Sequence, residues 1–219
     1  MAKVTFLVVL LLNLPLYIFA QGNTFKIAKL KYGGGGDWYC NRTSLPNLIK
    51  FINQHSSIKI HEKEDIVEVG SPAIFQYAWV HLTGHGNVFF TEQEAQNLRN
   101  YLISGGFLHI DDNYGLDKYI RREMKKVFPE YDFVELPFDF GIYQKPFYFP
   151  KGLPKVHEHD GKPPQGFGIF HEGRLVCFYS YECDLGNGWE DQEIYNDPEP
   201  VRQQALKMGT NIVYWAITH

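Results

Sequence analysis

The stretch GGFLHIDD, residues 105–112, decides the fold class of this chain. Two glycines end a helical pattern, apolar residues including Phe107 and Ile110 then suit a buried strand, and two aspartates close it. A second helical pattern follows, with apolar residues three or four positions apart: Leu116, Ile120, Met124 and Val127. A strand between two helices is typical of the centre of a parallel sheet, so we predict a central strand at 107–111.

The alternation of strand and helix continues on both sides of this stretch. Further strands are predicted at residues 25–32, 65–69, 77–82 and 131–136. Ser44 is predicted to cap the first helix, and Thr91 with Glu94 to form the capping box of the second. Helical connections of this length imply right-handed crossovers between parallel strands. The sequence therefore predicts an α/β fold with a doubly wound, mostly parallel sheet.

The last third of the chain has a different pattern. Residues 137–164 are rich in proline and aromatic residues, which predicts a long loop that carries function or covers the sheet. Residues 166–180 predict a β-hairpin with its turn at 172–173, and a C-terminal helix is predicted after Pro198. With no repeat or linker in the pattern, we expect a single α/β domain over 24–219.

The first twenty residues have the pattern of a secretory signal peptide, predicted as residues 1–20. Lys3 precedes an apolar stretch that Pro15 interrupts, and the small residue Ala20 precedes polar residues. This predicts cleavage after Ala20 and export to the periplasm or the extracellular space, with no transmembrane span left after cleavage. The alternative is an uncleaved N-terminal anchor, although the apolar run is short for a span.

Composition excludes some classes of protein. The 219 residues are 44% hydrophobic, which is typical of a globular chain. The 21 basic and 25 acidic side chains give a formal charge of -4, so we expect no nucleic-acid partner. The three cysteines form no CxxC pair. Cys177 is predicted inside a strand as a small buried residue, and a disulfide between Cys177 and Cys183 is the alternative.

Four motifs in a fixed order resemble a known family. They are YGGGGDWY at 32–39, LTGHG at 82–86, GGFLHIDD at 105–112 and GFGIF at 166–170. Together they resemble the bacterial domain-of-unknown-function family numbered 4159 along essentially the whole chain after the signal peptide. The resemblance implies a fold similar to the class I glutamine amidotransferase-like proteins, and it implies no settled activity.

The chain departs from the catalytic amidotransferases at the position of their nucleophile. Those enzymes carry a nucleophilic cysteine on the turn between a strand and a helix. The corresponding turn here lies within residues 109–114, and none of the three cysteines is there. Without a thiol at that turn, glutamine hydrolysis of the usual kind has no nucleophile. We therefore expect no glutamine amidotransferase activity.

Three polar loops are predicted at one rim of the sheet, where the carboxyl ends of parallel strands meet. Asp111, Asp112 and His85 are the candidate catalytic residues, as acid, base or metal ligand. One of the two aspartates is expected to cap the following helix. The candidate ligand-binding residues are Gly35, Asp37, Trp38, Gly84, Gly86, Asn113 and Tyr114. The glycine-rich loop fits no phosphate-binding pattern, and a turn with Asp37 capping and Trp38 packed is the alternative.

A second candidate site is the string HEHDG at residues 157–161. His157, His159 and Asp160 are candidate ligands for a divalent metal, zinc or manganese, and His85 is a candidate additional ligand. The alternative is a polar loop whose histidines bind neighbouring backbone groups. The acidic, glycine-rich segment 182–191 is predicted to be a solvated loop.

Two hypotheses about function follow from these patterns. The first is an exported, non-catalytic module on an amidotransferase-like scaffold, with a saccharide or a cell-envelope protein as its partner. The alternative is an exported hydrolase-like enzyme that uses a metal or carboxylates at the sheet rim. Close approach of Asp111 or Asp112 to His85 or His157 would favour the enzyme.

Overall fold

The computed structural model describes residues 24–219, so the predicted signal peptide lies outside the described residues. Seven strands in this part form one sheet in the order β2-β1-β3-β4-β7-β6-β5. The strands are β1 (Ile27–Lys31), β2 (Asp65–Glu68), β3 (Trp79–Gly84), β4 (Leu108–Asp112), β5 (Val134–Glu135), β6 (Gln165–His171) and β7 (Arg174–Tyr181). The helices are α1 (Ser44–His55), α2 (Glu92–Ile103), α3 (Asp117–Val127), α4 (Leu185–Trp189), α5 (Gln192–Tyr195) and α6 (Glu199–Thr218).

The sheet is mixed but mostly parallel. Strands β2, β1, β3, β4 and β7 run parallel, β6 is antiparallel to β7, and β5 is antiparallel to β6. The mostly parallel sheet, the central position of β4 and the hairpin of β6 and β7 confirm the predictions. Register places Thr83 beside Asp111 and Asp111 beside Ser180. The carboxyl ends of β3, β4 and β7 therefore meet at one rim.

Both faces of the sheet are covered by apolar side chains. On one face, Leu98 of α2 and Ile120 of α3 belong to the same buried cluster as Ile110 of β4. On the other face, Leu48 of α1 and Ile212 of α6 belong to a second cluster. Burial on both faces explains why β3 and β4 are buried at every residue.

Several predicted boundaries differ from the structure; the third strand, for example, is Trp79–Gly84 instead of 77–82. Thr43 is the N-cap of α1, and Ser44 is the first helical residue, with its hydroxyl bound to the carbonyl of Asn41. The fifth strand is shorter than the predicted 131–136, because only Val134–Glu135 pairs with β6 at the edge of the sheet. The capping box of α2 is confirmed.

The prediction of a solvated loop at 182–191 was also wrong. Residues 182–190 are buried, and α4 packs against α1 and α6. Trp189 is fully buried and donates its indole N–H to the carbonyl of Ala205 at 2.8 Å. A Cβ added at Gly188 would lie 2.5 Å from the Cβ of Ala205. The glycines of this segment therefore serve close packing of the backbone instead of exposure to solvent.

The three cysteines are free, so the alternative disulfide is not formed. Cys177 lies buried in β7, as predicted, and Cys183 is also buried. In the part of the chain that the structure describes, no helix is both long and apolar enough to cross a membrane.

Candidate functional site

The glycine-rich loop after β1 packs along the loop after β3. Gly36 donates its N–H to the carbonyl of Asn87 at 3.0 Å, and Phe89 donates to the carbonyl of Gly33 at 3.0 Å. A Cβ at Gly36 would lie 2.6 Å from the Asn87 oxygen, so the loop needs glycine for this close approach. Gly35 is exposed, with nothing within 4 Å of an added Cβ. These backbone groups bind one another, which favours the turn over a phosphate site.

Asp37 and His85 form a pair at this rim. The Nδ1 atom of His85 lies 2.9 Å from Oδ2 of Asp37, and the same carboxylate accepts the backbone N–H of His85. Gly84 adopts φ +144°, and a Cβ there would lie 2.2 Å from the Tyr32 hydroxyl oxygen. Trp38 is partly buried against the core, in agreement with the packing alternative.

Asp111 lies buried between β4 and α4. Its carboxylate accepts hydrogen bonds from the Ser180 hydroxyl at 2.5 Å, the Leu185 N–H at 3.2 Å and the Gly186 N–H at 2.7 Å. Burial is the main cause that raises the pKa of Asp111 to about 7. Because both oxygens are occupied, this side chain holds the beginning of α4 against the end of β4.

Asp112 faces the opposite side and binds the turn that leads into α3. Its Oδ1 accepts the N–H groups of Tyr114 at 2.9 Å and Leu116 at 3.0 Å, which closes the turn before the helix. The N-cap of α3 is Leu116 and has no side-chain cap, so the prediction that one of the two aspartates caps this helix was wrong. Its Oδ2 accepts the Tyr179 hydroxyl at 3.3 Å. Burial raises the pKa of Asp112, although these hydrogen bonds oppose it.

A polar cleft of about 520 Å³ opens beside Asp112. Its lining combines acidic, basic and tyrosine side chains: Gly86, Asp112, Tyr114, Gly115, Asp117, Lys118, Tyr119, His159, Asp160, Lys162, Tyr181 and Glu182. Five of these were candidate site residues from the sequence. Ligand sites of α/β sheets lie at the carboxyl ends of the strands, which is where this cleft is.

Tyr181 and Glu182 are cleft residues that sequence reasoning missed. Tyr181 is the last residue of β7, and Glu182 follows it. This strand was recognised as part of a hairpin but was not placed parallel to β4. The register between Asp111 and Ser180 brings the end of β7 to the same rim. Pairing the second strand of the hairpin in parallel with the central strand would have placed both residues at this rim.

His157 and His159 converge on Asp184, which the sequence did not single out. His159 Nε2 lies 2.7 Å from Oδ1 of Asp184, and His157 Nδ1 lies 3.2 Å from Oδ2. His157 Nε2 also lies 3.0 Å from Asp197. Asp160 is outside this group: its backbone N–H faces Glu182. Two histidines therefore meet, but on a different carboxylate from the one predicted.

The contacts with Asp184 affect both histidines. The hydrogen bond to Asp184 is the main cause that raises the pKa of His157. Burial alone would lower the pKa of His159, but the hydrogen bond and the charge of Asp184 outweigh it and raise the pKa. Both rings therefore bind a proton more readily than a free imidazole, and their nitrogens already contact carboxylates.

Backbone strain concentrates around the rim. Among the described residues, the non-glycine residues with positive φ are Asn41, Tyr114, Glu172, Glu182, Asp184 and Asn196. Glu172 belongs to the hairpin turn, where this conformation is ordinary. Tyr114 and Glu182 line the cleft, and Asp184 binds the two histidines. Strain of this kind persists where the surroundings hold it, and it is concentrated at functional sites.

The fold and the cleft define an α/β protein with a polar cleft at the carboxyl ends of its parallel strands. The profile of the family described as "Domain of unknown function (DUF4159)" matches residues 26–217, and the chain belongs to this family. A comparison with curated proteins found no significant match.

Proposed function

We propose that the protein is an exported, non-catalytic module that binds a saccharide in the cleft beside Asp112. The observation that carries this proposal is the combination of carboxylates and tyrosine rings in one open polar cleft. The cleft has a volume of about 520 Å³, in the range of small-molecule sites.

The chemistry of the lining suits a ligand with many hydroxyl groups. Carboxylate oxygens accept hydrogen bonds from hydroxyls, and tyrosine offers both an apolar ring face and a polar hydroxyl. Tyr114 is 53% exposed, so its ring is accessible to a ligand. The lining has four carboxylates against two lysines and His159, so acidic groups outnumber basic ones. An excess of negative charge disfavours a phosphate group or a nucleic acid.

The arrangement of the predicted catalytic residues supports binding over hydrolysis. Asp111 has its two oxygens engaged by three donors, and Asp112 accepts hydrogen bonds at both oxygens. His85 contacts Asp37 and not either of these aspartates. A general base must lie within reach of its substrate, whereas Asp111 is fully buried and Asp112 is only 2% exposed.

We also propose that the scaffold is similar to the class I glutamine amidotransferase-like fold. The strained residue Tyr114, at φ +110°, lies on the turn between β4 and α3. A sharp, strained turn between strand and helix is the position where enzymes of related architecture hold their nucleophile. Here a tyrosine at this turn lines the binding cleft, which is consistent with a scaffold used for binding.

Saccharide binding is tested with a panel of soluble neutral, amino and acidic oligosaccharides, measured by calorimetry. We expect Tyr114→Ala to weaken binding by about 10-fold, equivalent to about 1.4 kcal/mol. Tyr148→Ala is the matched control, because Tyr148 is 68% exposed and does not line the cleft. Binding to no member of the panel, or equal loss in both variants, would contradict the proposal. Release of cleaved products would favour the hydrolase.

Export is tested separately. The positive residue, short apolar stretch and Ala20 of the sequence support cleavage after residue 20. Intact-mass measurement of the protein from its own host should show a chain that begins at Gln21. A chain that retains Met1 or Lys3 would contradict cleavage.

A further inference from the structure

We propose that Asp37, Cys40 and His85 bind one zinc ion at the rim, with the fourth coordination position open. One donor atom from each residue lies within 4.8 Å of the other two. Over residues 24–219, no other group of three histidine, cysteine or acidic residues meets this distance. The site is separate from the histidine string that the sequence favoured.

The set of donors selects for zinc. A thiolate, an imidazole and a carboxylate are all zinc ligands, whereas manganese prefers oxygen donors. Tetrahedral bonds of 2.0–2.3 Å place ligand atoms about 3.5 Å apart. The three donors therefore need only small side-chain movements to enclose the ion.

The backbone around the cluster fixes these positions. The N–H of Cys40 donates to the carbonyl of Asp37 at 2.8 Å, and this turn brings both side chains to the same place. Buried Lys29 donates to the carbonyls of Cys40 at 2.6 Å and Asn41 at 2.8 Å. On the other side, glycine at position 84 leaves room for Asp37, because a Cβ there would lie 3.1 Å from Oδ1 of Asp37.

Asn113 supports the sulfur directly. It is buried, and its side-chain amide donates to Sγ of Cys40 at 3.2 Å. Groups that hydrogen-bond to a metal ligand orient it and tune its affinity. A donor aimed at the sulfur stabilises a thiolate, which is the form that binds zinc.

The charges of the ligands favour a cation at this position. The Asp37 carboxylate and the Cys40 sulfur lie within 4.8 Å of each other, so the carboxylate and a thiolate would repel each other without a cation. A divalent ion would replace the thiol proton and offset this repulsion between the Asp37 and Cys40 side chains.

The site adjoins the proposed saccharide cleft but does not depend on it. Gly86, the residue after His85, and Tyr114, the residue after Asn113, both line the cleft. The side chains of His85 and Asp37 are 48% and 32% exposed, so an ion can reach them from solvent. Zinc binding is measured without a saccharide, which keeps the two proposals distinguishable.

The test uses the full chain, purified without a histidine tag and stripped with a chelator. Zinc is titrated in competition with a chromophoric chelator, and we expect one ion per chain. Since loss of a group that only supports a ligand costs roughly 10-fold to 100-fold in affinity, Cys40→Ser and His85→Ala should each cost roughly 100-fold or more. Asn113→Ala should cost roughly 10-fold. His61→Ala is the matched control, because His61 is also exposed and lies outside the cluster.

A second measurement keeps the proposal testable if a variant fails to fold. X-ray absorption of the zinc-loaded wild-type chain should show one sulfur ligand at about 2.3 Å with nitrogen and oxygen ligands at about 2.0–2.2 Å. Absence of sulfur, absence of zinc uptake, or unchanged affinity in Cys40→Ser would overturn the proposal. So would loss of zinc binding in a His157→Ala, His159→Ala double variant with normal binding in His85→Ala.

Discussion

Gly84 is a residue whose backbone conformation and lack of a side chain are both required. It ends β3 at φ +144°, with the Tyr32 hydroxyl in the space that a Cβ would fill. The Tyr32 hydroxyl donates to the carbonyl of Thr83 at 3.1 Å, so it cannot move away without losing that bond. The close approach of Asp37 and His85 depends on this arrangement.

We expect Gly84→Ala to lower the free energy of unfolding by about 3 kcal/mol, from backbone strain and the clash together. The matched control is Gly86→Ala, where φ is +75° but nothing lies within 4 Å of the added Cβ. Strain alone should cost about 1 kcal/mol at that position. Urea unfolding followed by circular dichroism measures both variants. Equal losses would show that the contact with Tyr32 is not the cause.

Two buried histidines, His81 and His109, form a neutral pair beneath the rim. Their Nδ1 atoms lie 3.1 Å apart, and Nε2 of His109 lies 3.0 Å from the Ser180 hydroxyl. The Ser180 hydroxyl donates its hydrogen bond to Asp111, so it must accept the hydrogen bond from Nε2–H of His109. Nδ1 of His109 then accepts a hydrogen bond from Nδ1–H of His81. Burial lowers the pKa of His109 to about 3 and that of His81 well below its ordinary value.

This pair makes the folded protein sensitive to acid. Below about pH 6.5 the unfolded chain binds protons at His81 and His109 that the folded chain does not bind, so these groups lower stability as the pH falls. His81→Phe removes one such group and keeps an aromatic ring beside Trp79. Between pH 7 and pH 5 the variant should lose about 2 kcal/mol less stability than the wild type. Urea unfolding at pH 7 and pH 5 measures the stability of both proteins. Equal losses of stability in the variant and the wild type would mean that His81 is protonated in the folded state.

At the scale of elements, the carboxylate of Asp111 joins β4 to α4. An asparagine at this position always directs an N–H₂ group at one of the three donors from Ser180, Leu185 and Gly186. We expect Asp111→Asn to cost about 2–3 kcal/mol of stability, the range for hydrogen bonds to a charged group. The free energy of unfolding is measured at pH 8, which is above the pKa of about 7 of Asp111, so that the carboxyl group is ionised.

Asp132→Asn is the control for this variant. Asp132 is 80% exposed and pairs with Lys125 at the surface, so its loss should change stability by about 0.5 kcal/mol or less. Similar effects of the two substitutions would mean that Asp111 does not hold α4 in place.

The elements near the centre of the sheet were the ones that sequence patterns predicted well. Helical spacing identified Leu116, Ile120, Met124 and Val127, and all four are buried. This pattern is local, because each helix buries one stripe of side chains. The edge strand β5 and the segment of α4 were predicted less well. The structure of both segments depends on neighbours distant in sequence. The glycines of α4 are typical of a loop in the sequence, and their role in packing depends on contact with Ala205.

Prediction of the candidate site also depended on whether a residue is placed by local patterns or by contacts distant in sequence. Asp112, Tyr114 and Gly86, which line the cleft, were among the candidates because the ends of β3 and β4 could be placed at one rim from local patterns. Asp184 was missed, because its contact with the two histidines joins the long loop to the segment after β7. Cys40 was set aside because it is not at the strand-to-helix turn, and only the folding of the glycine-rich loop brings it near His85.

At the scale of the whole molecule, burial differs between the centre and the edge of the sheet. Ile110 of β4 is fully buried among residues from several helices and strands, while Ile66 of the edge strand β2 is 59% exposed. An isoleucine is therefore fully buried in one parallel strand and more than half exposed in another. Replacing each by aspartate compares the two positions with one chemical change.

Ile110→Asp should abolish cooperative folding, whereas Ile66→Asp should change stability by about 1 kcal/mol or less. A buried, unpaired carboxylate costs several kcal/mol, and the removed side chain leaves its apolar contacts unfilled. Together these costs approach the 5–15 kcal/mol that stabilises a typical domain. At the edge, the new carboxylate remains in water and loses little. Thermal unfolding and soluble yield measure both variants, and a soluble Ile110→Asp protein with an unchanged melting temperature would contradict the central position of β4 that places the rim.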